Sequence, residues 1–170
     1  MRLYLDNCCF NRPFDNQNQL KIKLETEAKL FVQRGILDGK HDLVWSYILE
    51  FENKQNKYDE RRNSIYGWKN IAKVFCIEND TIIEYADSLK KMNIRTKDAL
   101  HIACSVFACC DYFITVDRQL FNLNLNEIKI MDLFGNPIGS RTSLAFFGLK
   151  PCKNAFLKGS CSETEVSEQL

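Results

Sequence analysis

Short apolar, β-rich runs alternate along the chain with stretches whose apolar residues recur every three or four positions. Residues 2–5 form the first run, closed by Asp6-Asn7, and residues 42–45 (Asp-Leu-Val-Trp) form a second. Residues 112–116 and 128–131 form two more, the last of them expected at a sheet edge. Between the runs, Leu20, Leu24, Ala28 and Phe31 fall at helical spacing and predict a helix that ends at a Gly39 cap. Its first residues also alternate as a strand does, which leaves its start open. Ser46 stands where an N-cap begins a helix through Glu52. Ile65, Trp68, Ala72 and Phe75 predict a third helix, and Ile82, Ala86 and Leu89 a fourth capped by Asp80 or Thr81. Residues 97–110 are apolar nearly all round, which predicts a buried helix entered through Thr96, followed by a further helix starting at 117–121. Strands alternating with helices imply an α/β fold with a central parallel sheet covered on both faces.

Composition narrows the class without changing that picture. At 170 residues, with 45% hydrophobic and 26% charged positions, the chain is ordinary globular material for one domain. The apolar segment 99–110 is interrupted by His101 and Ser105 and falls short of the roughly 20 residues of a membrane helix. Eight cysteines, two adjacent pairs among them, and no export signal fit a reducing, cytoplasmic setting. With two histidines and no Cys-x-x-Cys, zinc is not expected. Residues 1–135 read as the folded domain and 136–170 as a C-terminal extension, partly disordered, in which Phe146, Phe147 and Leu149 favour some packing before an acidic end.

The chemistry is carried by carboxylates. In an open parallel sheet, ligands bind beyond the carboxyl ends of the strands. Asp6 ends the first strand and Asp117 the strand 112–116, Glu52 lies in the helix after the second strand, and Asp98 opens the buried helix. Four acids from distant points of the chain are thus directed to one rim. Two like charges about 4 Å apart repel by about 4 kcal/mol at an effective dielectric near 20, so such a cluster implies a bound proton or cation. Oxygen donors without thiolate or imidazole support point to Mg²⁺ or Mn²⁺, and hence to hydrolysis of a phosphodiester. Taken singly, each acid has a plainer reading: a turn residue for Asp6, a helix-dipole partner for Asp98, a cap for Asp117, solvated helix surface for Glu50 and Glu52.

Three motifs occur in order: Leu3-Tyr4-Leu5-Asp6 running on to Pro13-Phe14, Lys97-Asp98-Ala99-Leu100-His101-Ile102-Ala103, and Cys110-Asp111-Tyr112-Phe113-Ile114-Thr115-Val116-Asp117. Together they resemble the PIN domain family, and within it the bacterial VapC-like toxins of toxin–antitoxin modules, over about residues 1–133. The resemblance implies a three-layer α/β/α fold and a Mg²⁺- or Mn²⁺-dependent ribonuclease. Its acids would correspond to Asp6, Glu52, Asp98 and Asp117, with Asp6 and Asp98 as direct metal ligands. Glu50 competes with Glu52 for the second position, and only one of the two faces the metal because residues two apart on a helix diverge by about 200°.

Several other residues are drawn in around these acids. Thr115 matches the family's Thr-x-Asp and is expected to hydrogen-bond an acid; Asn7 is a supporting or turn residue. His101 lies three residues from Asp98 on nearly the same helix face, where a hydrogen-bonded structural histidine is the commoner role. Arg12, Arg95 and Arg118, with Lys54 and Lys97, flank the acids and are candidates for RNA phosphates. Asp111 reads as a cap and Met92 as core. The resemblance also implies a homodimer and an antitoxin protein that covers the acidic rim. Two other readings stand beside it. A haloacid-dehalogenase-like phosphatase wants Asp-x-Asp after its first strand, where this chain has Asp6-Asn7-Cys8, and a catalytically silent PIN-like binding module would not need the acid set. The net charge of +1 separates into +4 without the three acids of the last ten residues (23 − 19) and +8 without the four proposed ligands as well (23 − 15). A basic surface around one acidic pocket suits a polyanionic substrate.

Overall fold

The computed structural model describes residues 1–135. The extension 136–170, with Phe146, Phe147 and Leu149, lies outside the described residues. Five parallel strands form one sheet: β1 (Arg2–Leu5), β2 (Asp42–Ser46), β3 (Val74–Cys76), β4 (Tyr112–Ile114) and β5 (Lys129–Met131), in the order β3-β2-β1-β4-β5. The helices are α1 (Asn7–Asn11), α2 (Leu20–Leu37), α3 (Tyr47–Lys54), α4 (Asp59–Tyr66), α5 (Asp80–Lys90) and α6 (Thr96–Phe107), and they cover both faces in a three-layer α/β/α arrangement. Central position explains the strand sequences. Leu3, Tyr4, Leu5, Leu43, Val44, Phe113 and Ile114 are all fully buried, as strands covered on both faces require. β5 is an edge strand, as its position in the sequence implies. Among the described residues every cysteine is a free thiol, and no helix is long and apolar enough to cross a membrane.

Local chemistry sets the helix ends. Ser46 Oγ accepts from Leu49 N–H at 3.2 Å and starts α3 directly off β2. Gly39, at φ +72°, lets Lys40 N–H reach Gly35 C=O and Gly39 N–H reach Ile36 C=O, closing α2 in a Schellman turn. The fourth predicted helix, α5, is capped one residue earlier than expected, by Asn79 Oδ1 on Ile82 N–H at 3.0 Å, and not by Asp80 or Thr81. Thr96 is the first residue of α6 and not its cap; Arg95 stands at the cap position without a side-chain capping bond.

Other elements depart from the periodic pattern for reasons visible in the packing. The predicted helix through Ile65, Trp68, Ala72 and Phe75 breaks after Tyr66 into a 3₁₀ turn, Gly67–Asn70. Lys73 N–H then bonds Leu43 C=O, and Val74, Phe75 and Cys76 join the sheet as β3. The residues expected to start a helix at 117–121 form an Asp117 turn and a short 3₁₀ segment, Leu120–Asn122. α2 is helical from Leu20, but its predicted stripe faces outward: Leu20, Leu24 and Phe31 are 72%, 48% and 59% exposed. It packs instead through Glu25, Thr26, Lys29, Val32, Gln33 and Ile36. Three of those polar groups find partners inside: Glu25 pairs with Arg12 at 3.0 Å, Thr26 donates to Arg12 C=O, and Lys29 lies over the Trp68 ring. Met92, expected in the core, is exposed in the turn after α5. Asp111 Oδ2 accepts from Arg2 N–H at 2.8 Å and so ties the start of β1 to the turn before β4.

Candidate functional site

Register brings the first and last acids together. Tyr4 pairs with Phe113 and Leu5 with Ile114, so the next step along both strands sets Asp6 level with Thr115, and Asp6 N–H bonds Ile114 C=O at 2.9 Å. Thr115 is completely buried. Its hydroxyl donates to Asp6 Oδ2 at 2.7 Å and accepts from the Asp117 backbone N–H at 3.1 Å, joining two of the acids through one oxygen. Cys8 Sγ also donates to Asp6 Oδ2, at 2.9 Å. Hydrogen bonding with Cys9 and burial, with the nearby Asp6 charge, push the Cys8 thiol well above its ordinary range, so it remains a donor. Asp117 Oδ1 accepts from Gln119 N–H, which fixes the turn that follows.

A buried chain of hydrogen bonds holds the second acid. His101 Nε2 lies 3.0 Å from Glu52 Oε2 and 3.9 Å from Asp6 Oδ1, while its Nδ1 is 2.7 Å from Tyr4 Oη. Tyr4 Oη in turn meets Ser46 Oγ. A carboxylate only accepts, and burial pushes the Tyr4 phenol well above its ordinary range. With the Nε2–H tautomer of His101, the chain runs Leu49 N–H to Ser46, Ser46 O–H to Tyr4, Tyr4 O–H to His101 Nδ1, and Nε2–H to Glu52. Lys97 Nζ adds an ion pair to Glu52 at 3.2 Å. Burial pushes the Glu52 carboxyl up, but His101 and Lys97 outweigh it and hold it at about 2. Glu50 points elsewhere, into ion pairs with Lys54 at 2.9 Å and Lys69 at 3.0 Å.

Asp98, in the first turn of α6, faces the same rim. Burial, with the charges of Asp6 and Asp117, pushes its carboxyl up, while Arg95 opposes the rise. The three aspartates therefore act on one another. Arg95 Nε donates to Asp98 Oδ2 at 2.7 Å and its Nη2 donates to Asp117 Oδ2, so one guanidinium bridges two acids. The donor set is oxygen-only and takes up a positive group, which suits Mg²⁺ or Mn²⁺ in chemistry. Among the described residues, no three His, Cys, Asp or Glu side chains converge on a point that would hold a metal ion.

The remaining candidates divide. Asn7 accepts from Asn11 Nδ2 through its own carbonyl and side chain, inside α1, and touches none of the acids. Arg12 is held in ion pairs with Asp15 and Glu25. Arg118 follows Asp117 and is exposed. Local sequence does not mark Tyr4, Ser46 and Cys8 as site residues, although strand alternation places Tyr4 on the face of Asp6 and the β1–β2 register sets Ser46 level with Asp6.

No family model matches the chain, and no curated protein matches it. Among solved structures it is similar to a chain in the crystal structure of VapBC2 from Rickettsia felis bound to a DNA fragment from their promoter. The identity is 13% and the TM-score 0.48, over 78% of this chain and 98% of that one.

Proposed function

We propose that this protein is a divalent-metal-dependent ribonuclease, the toxin of a toxin–antitoxin pair. The observation that carries the reading is the Asp6–Thr115–Asp117 link, with Asp98 and Glu52 on the same carboxyl rim of a parallel sheet. Asp6 and Asp98 would hold the cation, with Glu52 and Asp117 completing the cluster. Mg²⁺ or Mn²⁺ supplies Lewis-acid activation of water and neutralises charge developing on a phosphodiester. Thr115 fixes the rotamer of Asp6, and the Tyr4–His101 chain fixes that of Glu52. Arg118, exposed and next to Asp117 in the chain, is the candidate for contact with substrate phosphates. An antitoxin that covers the rim and a homodimeric state accompany this reading through the sequence resemblance alone.

The test is cleavage of single-stranded RNA with Mn²⁺ by the wild type and by Asp6→Asn. Asparagine keeps the shape of Asp6 and still accepts from Thr115, so the variant folds. Losing an outer-shell partner of a metal costs about 10–100-fold, so losing a direct ligand lowers metal-dependent cleavage by at least about a hundredfold. Retained cleavage refutes the mechanism. Turnover of a phosphate monoester in place of RNA favours the phosphatase, and absence of Mn²⁺ binding favours a silent binding module.

A further inference from the structure

Arg95 enters the site from the turn between α5 and α6, just after Asn93 at φ +62° and the buried Ile94. Its side chain is 58% exposed, yet its guanidinium bonds Asp98 Oδ2 with Nε and Asp117 Oδ2 with Nη2. Those two carboxylates come from different elements, 19 residues apart in the chain, and both belong to the proposed metal cluster. The guanidinium takes one lone-pair direction on Asp98 Oδ2 and one on Asp117 Oδ2 and brings its positive charge to both carboxylates, so a second cation placed between them meets charge repulsion.

We infer that Arg95 is an internal counter-ion that competes with the divalent cation for Asp98 and Asp117. This rests on the metal-site reading above and adds a regulation to it. Without metal, Arg95 offsets the mutual repulsion of the aspartates and keeps the rim closed to cations. Metal binding requires the side chain to swing outward, for which its exposure leaves room. The apparent metal affinity is then the intrinsic affinity reduced by the fraction of molecules in which Arg95 has let go. Each exposed or half-exposed ion pair contributes less than about 1 kcal/mol, so two together set an effect of about tenfold, equivalent to about 1.4 kcal/mol.

The experiment is calorimetric titration of Mn²⁺ into the wild type, Arg95→Gln, Arg95→Lys and Arg34→Gln at constant ionic strength. Arg34 pairs with Asp38 near the end of α2 that leads into β2, at the opposite rim, and removes the same charge. The expected result is about tenfold tighter binding in Arg95→Gln, an intermediate gain in Arg95→Lys, and none in Arg34→Gln. As a second readout, Mg²⁺ added to ¹⁵N-labelled wild type shifts and broadens the Arg95 Nε–H resonance as its bonds to the acids break. Equal binding by wild type and Arg95→Gln overturns the competition while leaving the metal site intact. Weaker binding by Arg95→Gln also overturns it, making Arg95 a support for the cluster. No binding by any of the proteins overturns the metal site and the competition with it.

Discussion

Replacing Thr115 by valine removes one hydroxyl from a completely buried position and keeps the side-chain shape, so it opens no cavity. Two bonds go with it. The donor to Asp6 Oδ2, at 2.7 Å, serves a carboxylate that is only 6% exposed. A hydrogen bond to a charged group contributes about 1.5–3 kcal/mol. Cys8 still donates to the same oxygen, at 2.9 Å, which argues for the lower half of that range. The acceptor for Asp117 N–H, at 3.1 Å, is lost as well, but that residue is half-buried and water replaces part of the bond. The sum is a destabilisation of about 2–3 kcal/mol, a fall in Tm of about 6–9 °C for a chain of this size. Urea unfolding at neutral pH measures it. Thr115→Ser restores both bonds and loses only a methyl, about 1 kcal/mol. The pair also separates positioning from bulk stability. Below both melting temperatures, serine retains Mn²⁺ affinity and RNA cleavage and valine loses them. A valine variant as stable as the wild type to within about 0.5 kcal/mol, or serine and valine variants alike in Mn²⁺ affinity, refutes the role assigned to Thr115.

The two glutamates of α3 are expected to part company: Glu52→Gln lowers metal-dependent cleavage by at least about tenfold, while Glu50→Gln, which breaks only the pairs with Lys54 and Lys69, leaves it unchanged. A cleavage assay on the purified variants decides, and the reverse order refutes the placement of Glu52. Burial, only partly offset by Cys9, lowers the Lys29 amine from 10.5 to about 8, a difference corresponding to about 3 kcal/mol. Below pH 8 both folded and unfolded chains carry the proton and the cost of burying the charge is fully present. Between pH 8 and 10.5 the unfolded chain binds more protons, so stability rises with pH and the cost is relieved. Lys29→Met therefore stabilises at pH 7, and the gain shrinks as the pH climbs through that window; a gain independent of pH in urea titrations refutes the assignment.

What the sequence makes legible here is the positions where local and long-range demands agree. Leu3, Tyr4 and Leu5 are apolar and β-prone, stand beside a turn acid, and fill the centre of the sheet, so strand and acid are read together. Ser46 is legible for the same reason, as a capping hydroxyl at the junction of a strand and a helix. Where the demands separate, periodicity misleads. Trp68 and Phe75 keep helical spacing from Ile65, yet the backbone of Lys73 finds its partner on β2, and a strand wins. The stripe Leu20, Leu24, Phe31 keeps helical spacing too, but Arg12 and Trp68 give partners to the opposite, polar face of α2, and that face is the buried one.

The site divides along the same line. Asp6, Asp98 and Asp117 are visible because each follows a strand or opens a helix, whereas two of the contacts that orient them, Arg95 to Asp117 and Thr115 to Asp6, join residues 22 and 109 apart. Tyr4 to His101 spans 97 residues and Arg95 to Asp117 spans 22, and no local pattern announces either. The same contacts refine the charge argument. A basic surface around an acidic pocket treats the bases as a diffuse field. In the folded chain, the cations nearest the acids are spent on them: Lys97 on Glu52, and Arg95 on Asp98 and Asp117. The acid cluster is therefore partly neutralised before any cation arrives. On the proposed reading, the affinity for a metal would depend on how readily Arg95 and Lys97 yield as well as on the carboxylates themselves.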